Sequence, residues 1–225
     1  MWCIPPKQNA DFVAHMEDVL EVYSRPYNEK RPVVCMDEKP FQLLDETLTP
    51  ISMGPNNHTK KYDSEYVRKG SCSIFMFTEP LGQWREAHAL PHRTSEDWAN
   101  QVKWLIDDVY PDVEKIVLVM DNLNTHTTAS LYKAFPPDVA FRLSQKLEIH
   151  YTPKHGSWLD IAEIELSALT IQCLLDERIP TIDELNKILS AWGLRRNASQ
   201  KGVSWQFTTD DARIRLKHLY PEIKF

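Results

Sequence analysis

Two short apolar runs along the chain each end on an acid. Val33-Val34-Cys35-Met36 leads into Asp37, and Ile116-Val117-Leu118-Val119-Met120 leads into Asp121. Runs rich in Val and Ile, closed by polar residues, predict buried strands. An acid at such an end lies where a sheet stops burying side chains and ligands approach. Elsewhere the spacing is helical. Residues 9–24 carry Phe12, Val13, Met16, Val19, Leu20 and Tyr23, with Asn9 or Asp11 at the start and Pro26 as the stop. The first strand is placed at 32–37, with a second short one at 41–44. Residues 46–70 hold Pro50, Gly54-Pro55, Asn56-Asn57 and Gly70 and read as a long loop. Ser71–Thr78 and Trp84–Leu90 flank Glu79-Pro80-Leu81-Gly82 and predict a hairpin. A helix capped by Thr94 or Ser95 runs to about Val109, with Trp98, Val102, Leu105 and Ile106 on one face. Next come the strand 115–121, a short helix near 127–135, a strand near 147–151 and a helix over about 158–176. Ile182, Leu185, Ile188, Leu189 and Trp192 mark another helix, Trp205-Gln206-Phe207 an extended piece, and Thr208 or Thr209 caps a last helix through Leu219. The Leu/Ile stripe on these last helices reads as core or dimer packing.

Composition narrows the class. With 225 residues the chain makes one large domain or two small ones, and 42% hydrophobic with 26% charged residues is a globular rather than a disordered balance. No apolar run reaches the length of a membrane span, and the first 30 residues carry charges throughout, unlike a signal peptide. Cys3, Cys35, Cys72 and Cys173 are scattered without ligand spacing and read as buried reduced thiols. A net charge of −6 is not that of a typical nucleic-acid binder. The charge is uneven, however: residues 187–225 hold eight Lys/Arg against three acids, a balance of +5 that leaves −11 on the rest. An acidic body with a basic end suits a metal site beside a phosphate-binding surface, and also suits a solvated charged helix.

Three segments carry candidate chemistry. In Asp121-Asn122-Leu123-Asn124-Thr125-His126 the apolar run positions the acid, which is a ligand or a cap; His126 orients a phosphate or caps the next helix. In Asp37-Glu38 neighbouring strand residues point to opposite faces, so only one serves a given site; Asp37 is favoured and Glu38 reads as a surface residue. In the helix after Tyr151-Thr152-Pro153-Lys154-His155-Gly156-Ser157-Trp158, Glu163 lies beside the apolar stripe Leu159, Ala162, Leu166, Leu169, Cys173. Asp160 reaches the same ion or, more simply, caps the helix, and Glu165 is the poorer candidate. Three carboxylates from separate elements suggest a divalent-metal site, because Mg²⁺ prefers hard oxygen ligands, and that points toward phosphodiester chemistry.

Taken together, Val34-Cys35-Met36-Asp37-Glu38, Tyr62-Asp63-Ser64-Glu65-Tyr66, the segment from Ile116 to His126, and Tyr151 to Leu159 with Ala162-Glu163-Ile164-Glu165 resemble the DDE catalytic domain of the IS630/Tc1/mariner transposase superfamily, the bacterial IS630-type members above all. Trp205, Phe207-Thr208 and Asp211-Ala212-Arg213 fit the same pattern. The resemblance implies an α/β, RNase H-like fold with a central mixed sheet flanked by helices. It divides the chain into an N-terminal linker and helix remnant (1–30), the catalytic domain (31–180) and a C-terminal helical extension of that domain (181–225). It implies Asp37, Asp121 and Glu163 as the catalytic, metal-holding triad for Mg²⁺ or Mn²⁺, two ions in all. Asn122, His126 and Asp160 stand in supporting positions. Lys154, His155, Arg195, Arg196, Lys201, Arg213 and Arg215 are the candidate DNA contacts. The implied partners are transposon ends and target DNA, with room for a homodimer and no membrane, in the bacterial cytoplasm at the nucleoid. Family members carry an N-terminal helix-turn-helix region for end recognition, which this chain is expected to lack. Asp160 stands where the family often has Asn, and Lys39-Pro40-Phe41 where small polar residues are usual. Two other readings stay open: a decayed remnant that binds DNA or a protein, and a host RNase H-type or repair nuclease.

Overall fold

Both predicted apolar runs are strands because both of their faces are covered. In a computed structural model that describes residues 4, 7–48, 65–175, 177–199 and 202–222, β1 spans Val33–Glu46, β2 Tyr66–Glu79, β3 Trp84–Leu90, β4 Ile116–Met120 and β5 Leu147–Tyr151. They form one sheet in the order β3-β2-β1-β4-β5. β1 runs antiparallel to β2, and β2 to β3, while β4 pairs parallel with β1 and with β5. Alternate residues feed two separate cores. Cys35, Ile74, Met76, Val117 and Val119 face one helical layer; Val34, Met36, Phe75, Phe77, Leu118 and Met120 face the other. A strand buried on both sides has no polar alternation to show, which is why its signature is an unbroken apolar run.

The first layer contains α1 (Ala10–Ser24), α5 (Ile161–Leu169), α6 (Ile182–Ala198) and α7 (Thr209–Arg215). Phe12, Met16, Val19, Leu20 and Val22 of α1 are buried together with Leu185, Leu189 and Trp192 of α6 and Ala212 of α7. The second layer contains α2 (Ser95–Trp104), α3 (Thr128–Ala134) and α4 (Pro137–Gln145), centred on the fully buried Trp98. No helix among the described residues is long and apolar enough to cross a membrane.

Several boundaries differ from the sequence pattern. The stretches 32–37 and 41–44 belong to one strand, because β2 supplies partners without interruption from Cys35↔Thr78 to Leu43↔Gly70. Residues 66–70, expected in a loop, extend β2, while 49–64, with Tyr62-Asp63-Ser64, lie outside the described residues. The pattern missed α4: only Ala140 and Leu143 are buried on it, and Pro136-Pro137 looks like a break, although proline is equally at home in a first helical turn. The helix drawn at 158–176 is a turn of 3₁₀ helix over Ser157–Leu159, then α5, then a wider π turn over Thr170–Leu174. Asp160 is extended between the first two and sets the α5 start.

Candidate active site

The last registered pair between β1 and β4 is Met36↔Met120, so Asp37 and Asp121 follow it side by side. Parallel neighbours lie about 4.8 Å apart, and alternation directs both acids to the face of Cys35 and Val119, toward α5. β4 stops at Met120 whereas β1 continues along β2, so the sheet is open on one side at this point. Carboxyl ends of parallel strands are where open α/β sheets accept ligands.

The third acid comes from α5. Asp160 caps this helix, its Oδ1 accepting the Ala162 N–H at 2.9 Å. Ile161, Ala162, Leu166 and Leu169 pack into the first core, and Glu163, in the first turn, is left exposed on the side of Asp37. Asp37 and Glu163 line one open cleft of about 350 Å³ with Lys39, Ser167 and Thr170. Lys39 donates from Nζ to Thr170 Oγ1 at 2.6 Å, and that hydroxyl donates to the Leu166 carbonyl at 2.7 Å. The ammonium is thus held by a neutral oxygen at the wall of an acidic cleft.

The carboxylates affect one another. Burial pushes the Asp37 carboxyl from its ordinary 3.8 up to about 7; the Glu38 N–H, donating to Oδ1 at 2.7 Å, opposes this, and Asp121, Glu163 and Glu38 add repulsion. Burial also drives Asp160 well above the usual range, with Asp37 the largest electrostatic contributor, followed by Asp121 and Glu163. The buried Oδ2 of Asp160 has no hydrogen-bond partner. Asp160 is therefore a cap, as the simpler reading had it, and a fourth acid of the same cluster.

His126 is neither a cap nor a free phosphate contact. Thr127 stands at the N-cap of α3, and His126 is buried with its ring stacked on Trp98, centroids 6.0 Å apart. Nδ1 lies 2.6 Å from Asp121 Oδ1, and Nε2 3.0 Å from Glu38 Oε1. Nδ1 is in hydrogen-bond geometry to the Asp121 carbonyl at 3.3 Å, and its approach to Oδ1, poorly aligned as a hydrogen bond, is a close charge contact. Burial alone would lower the imidazole; its two carboxylates outweigh burial and hold it up to about 9. Glu38, expected on the surface, has a side chain only 4% exposed. Strand alternation does direct it away from Asp37, but into the second helical layer, where His126 meets it. A carboxylate next to a strand-end Asp and a His five residues beyond the second Asp were visible signals; their meeting was not.

The basic candidates are dispersed. Lys154 and His155 are exposed on the turn after β5, whose Thr152 N–H donates to the Met120 carbonyl at 2.9 Å, so this turn flanks the Asp121 edge. His155 sits at φ 66°, and a Cβ on Gly156 would come 2.5 Å from Pro153 Cγ, so the turn needs glycine there. Arg195 is exposed beside Cys173, 3.6 Å from its sulfur. Arg196 is engaged in a two-bond pair with buried Glu165, and Arg213 in one with Glu17. Arg215 and Asn122 are exposed, and Lys201 lies outside the described residues.

All the converging groups are hard oxygen donors, which suits Mg²⁺ or Mn²⁺. The buried, unpartnered Oδ2 of Asp160 is what a charge-deficient cation site leaves. Among the described residues no three acid, His or Cys side chains are gathered into a preassembled metal centre, as expected of carboxylates that repel when uncompensated. A larger cavity, about 670 Å³, lies at the opposite ends of β1 and β4, where Arg25 and Arg31 pair with Glu148.

A mixed sheet between two helical layers, with an acid inside β1 beside one that follows the end of β4 and a third on the helix facing them, defines an RNase H-like domain. The chain belongs to the DDE superfamily endonucleases, whose family profile matches residues 32–186. Solved structures similar in fold include the Mos1 mariner paired end complex with Mn, at TM-score 0.62 and 14% identity over 97% of this chain and 66% of that one. The same complex with Mg gives TM-score 0.60 at 14% identity, again over 97% and 66%. The isolated catalytic domain of Mos1 mariner transposase gives TM-score 0.58 at 13% identity over 97% of this chain and 100% of that one. None of the curated proteins matches the sequence.

Proposed function

We propose that this chain is the catalytic domain of a DDE transposase: it cleaves DNA phosphodiesters at transposon ends and joins the freed 3′-OH to target DNA. The observation that carries this is the placement of Asp37 and Asp121 side by side where β4 ends, with Glu163 across the cleft from Asp37 and the Asp37 carboxyl raised to about 7 by burial, with added repulsion from Asp121 and Glu163. Asp37, Asp121 and Glu163 would hold the cations, Mg²⁺ or Mn²⁺, two in number. A bound pair of such ions supplies Lewis-acid stabilisation of the attacking and departing oxygens of an in-line displacement.

The protein's own contributions follow from the geometry. Asp37, raised to about 7 by burial, would hold a cation as its carboxylate, so cation binding would favour the loss of its proton. The N-terminus of α5 turns its partial positive charge toward the acids and eases their repulsion. Lys39 offers its remaining N–H donors to a phosphate oxygen in the cleft. The Lys154–His155 turn flanks the same edge and offers charge to a DNA backbone. The cleft is open, as an extended polymer requires. A module that only binds DNA or protein would have no use for a buried, unpartnered carboxylate oxygen such as Asp160 Oδ2.

Supercoiled plasmid nicking tests this reading. Nicked product is expected with Mn²⁺ or Mg²⁺ and not with EDTA, and Asp121→Ala, Asp37→Asn or Glu163→Gln should each abolish it in protein that keeps its circular dichroism. Nicking that persists without metal or in Asp121→Ala would overturn it. Fluorescence anisotropy would then ask whether DNA binding survives alone.

A further inference from the structure

The functional reading above gives Glu38 no part and gives His126 only a place near the site. Both are built into one buried chain. Glu38 lies inside β1 and Asp121 just past the end of the neighbouring β4, and His126 returns from the loop after β4 to reach both, Nε2 toward Glu38 Oε1 at 3.0 Å and Nδ1 toward Asp121 Oδ1 at 2.6 Å and the Asp121 carbonyl at 3.3 Å. The ring has no freedom to swing. Trp98, fully buried, stacks on it. The Tyr151 hydroxyl donates to the His126 carbonyl at 2.7 Å, and Ser130 Oγ donates to the Thr125 carbonyl at 2.7 Å, which pins the loop on either side. The side chains of Glu38 and His126 are 4% and 1% exposed, while that of Asp121 is 38% exposed. The chain thus runs from the interior outward to the more exposed Asp121 carboxylate, beside Asp37.

We propose that Glu38 and His126 are positioning residues: the buried carboxylate holds the imidazole, and the imidazole holds one oxygen of Asp121 so that the other is presented to a divalent cation. Glu38 itself is not a ligand, because strand alternation directs its side chain into the Trp98 layer. Its second oxygen, Oε2, is buried without a hydrogen-bond partner, so His126 is the group that compensates its charge. The two therefore act as a unit. Partners that orient a metal ligand in this way govern affinity: their loss commonly weakens metal binding about 10- to 100-fold. The inference rests on the reading of Asp121 as a ligand.

Mn²⁺ binding to the whole chain, followed by the electron paramagnetic resonance signal of free Mn²⁺, tests it without any catalytic turnover. Glu38→Gln keeps shape and acceptor but removes charge; His126→Gln removes the bridge. Each should weaken Mn²⁺ binding by about 10- to 100-fold, and the double variant should be no weaker than the weaker single, as for residues that work through one another. Asp121→Asn serves as reference and should weaken binding at least as much. Unchanged Mn²⁺ affinity in folded Glu38→Gln, or losses that multiply in the double variant, would overturn the positioning role. If Asp121→Asn weakens binding while Glu38→Gln does not, only this inference falls. If Asp121→Asn also binds normally, the functional reading falls with it. Should His126→Gln fail to fold, the isosteric Glu38→Gln decides alone.

Discussion

At the scale of single residues, the Asp37 carboxylate is held against its own preference. A carboxyl whose folded value is about 7 and whose ordinary value is 3.8 binds more protons in the native than in the unfolded state between those limits. Stability must then fall as pH rises through that window. Asp37→Asn should therefore raise the melting temperature of metal-free protein above pH 7, by about 2–4 °C for each kcal/mol recovered, with the gain gone below pH 3.8. Adding millimolar Mn²⁺ should reverse the order, since the cation stabilises only the form that binds it. Calorimetry over pH in EDTA and in Mn²⁺ measures both arms; a metal-free variant no more stable than the parent at pH 8 would refute the cost of holding this buried carboxylate charged. Asp37, Asp121 and Glu163 were legible as candidates because each follows or borders an apolar pattern. Glu38 was misread because its burial depends on a histidine 88 positions away.

At the scale of elements, the orientation of α5 decides where Glu163 points. Glu165, two residues on, is buried and bound by Arg196 from α6 through Nε at 2.5 Å and a second nitrogen at 3.0 Å, with Arg85 of β3 3.5 Å away. Asn197 also joins α6 to the Arg85 backbone. This knot ties helix, helix and strand together. Glu165→Ala should cost about 3–5 kcal/mol, because it leaves two guanidinium groups in a poorly solvated place. Arg196→Ala should cost less, since Arg85 remains near Glu165. Urea denaturation checks the ranking, and equal losses would refute it. Glu165 was set aside on helical angle alone, and spacing could not reveal what it binds.

At the scale of the whole molecule, charge is sorted by partner rather than by position in the chain. The basic C-terminal segment contains arginines already neutralised, Arg196 by Glu165 and Arg213 by Glu17, beside others, Arg195 and Arg215, that are exposed. Non-specific DNA binding should be weak and steeply salt-dependent. Lys154→Ala, at the edge of the candidate site, and Arg195→Ala should each weaken it across all sequences and lower the salt slope by about 1. Arg213→Ala should change it little, because that guanidinium must first leave Glu17. Anisotropy titrations across a salt series decide this, and an unaltered slope in Lys154→Ala would exclude the turn after β5 from the DNA path.

The order of elements was readable from the sequence: the two apolar runs ending in acids, the hairpin at Pro80, the amphipathic helices starting at Thr94 and near Ile182. These depend on periodicity and local capping, which are properties of neighbouring residues. So was the family, because its motifs are short and contiguous. The tertiary structure decided what depends on distant partners: that β1 is one long strand, since β2 satisfies its backbone throughout; that a helix follows Pro136-Pro137; that Arg196 is paired; and that Glu38 lies buried against His126. Hydrogen bonds and charge pairs across tens of residues leave no period in a sequence, so the acids could be nominated in advance but their supports could not.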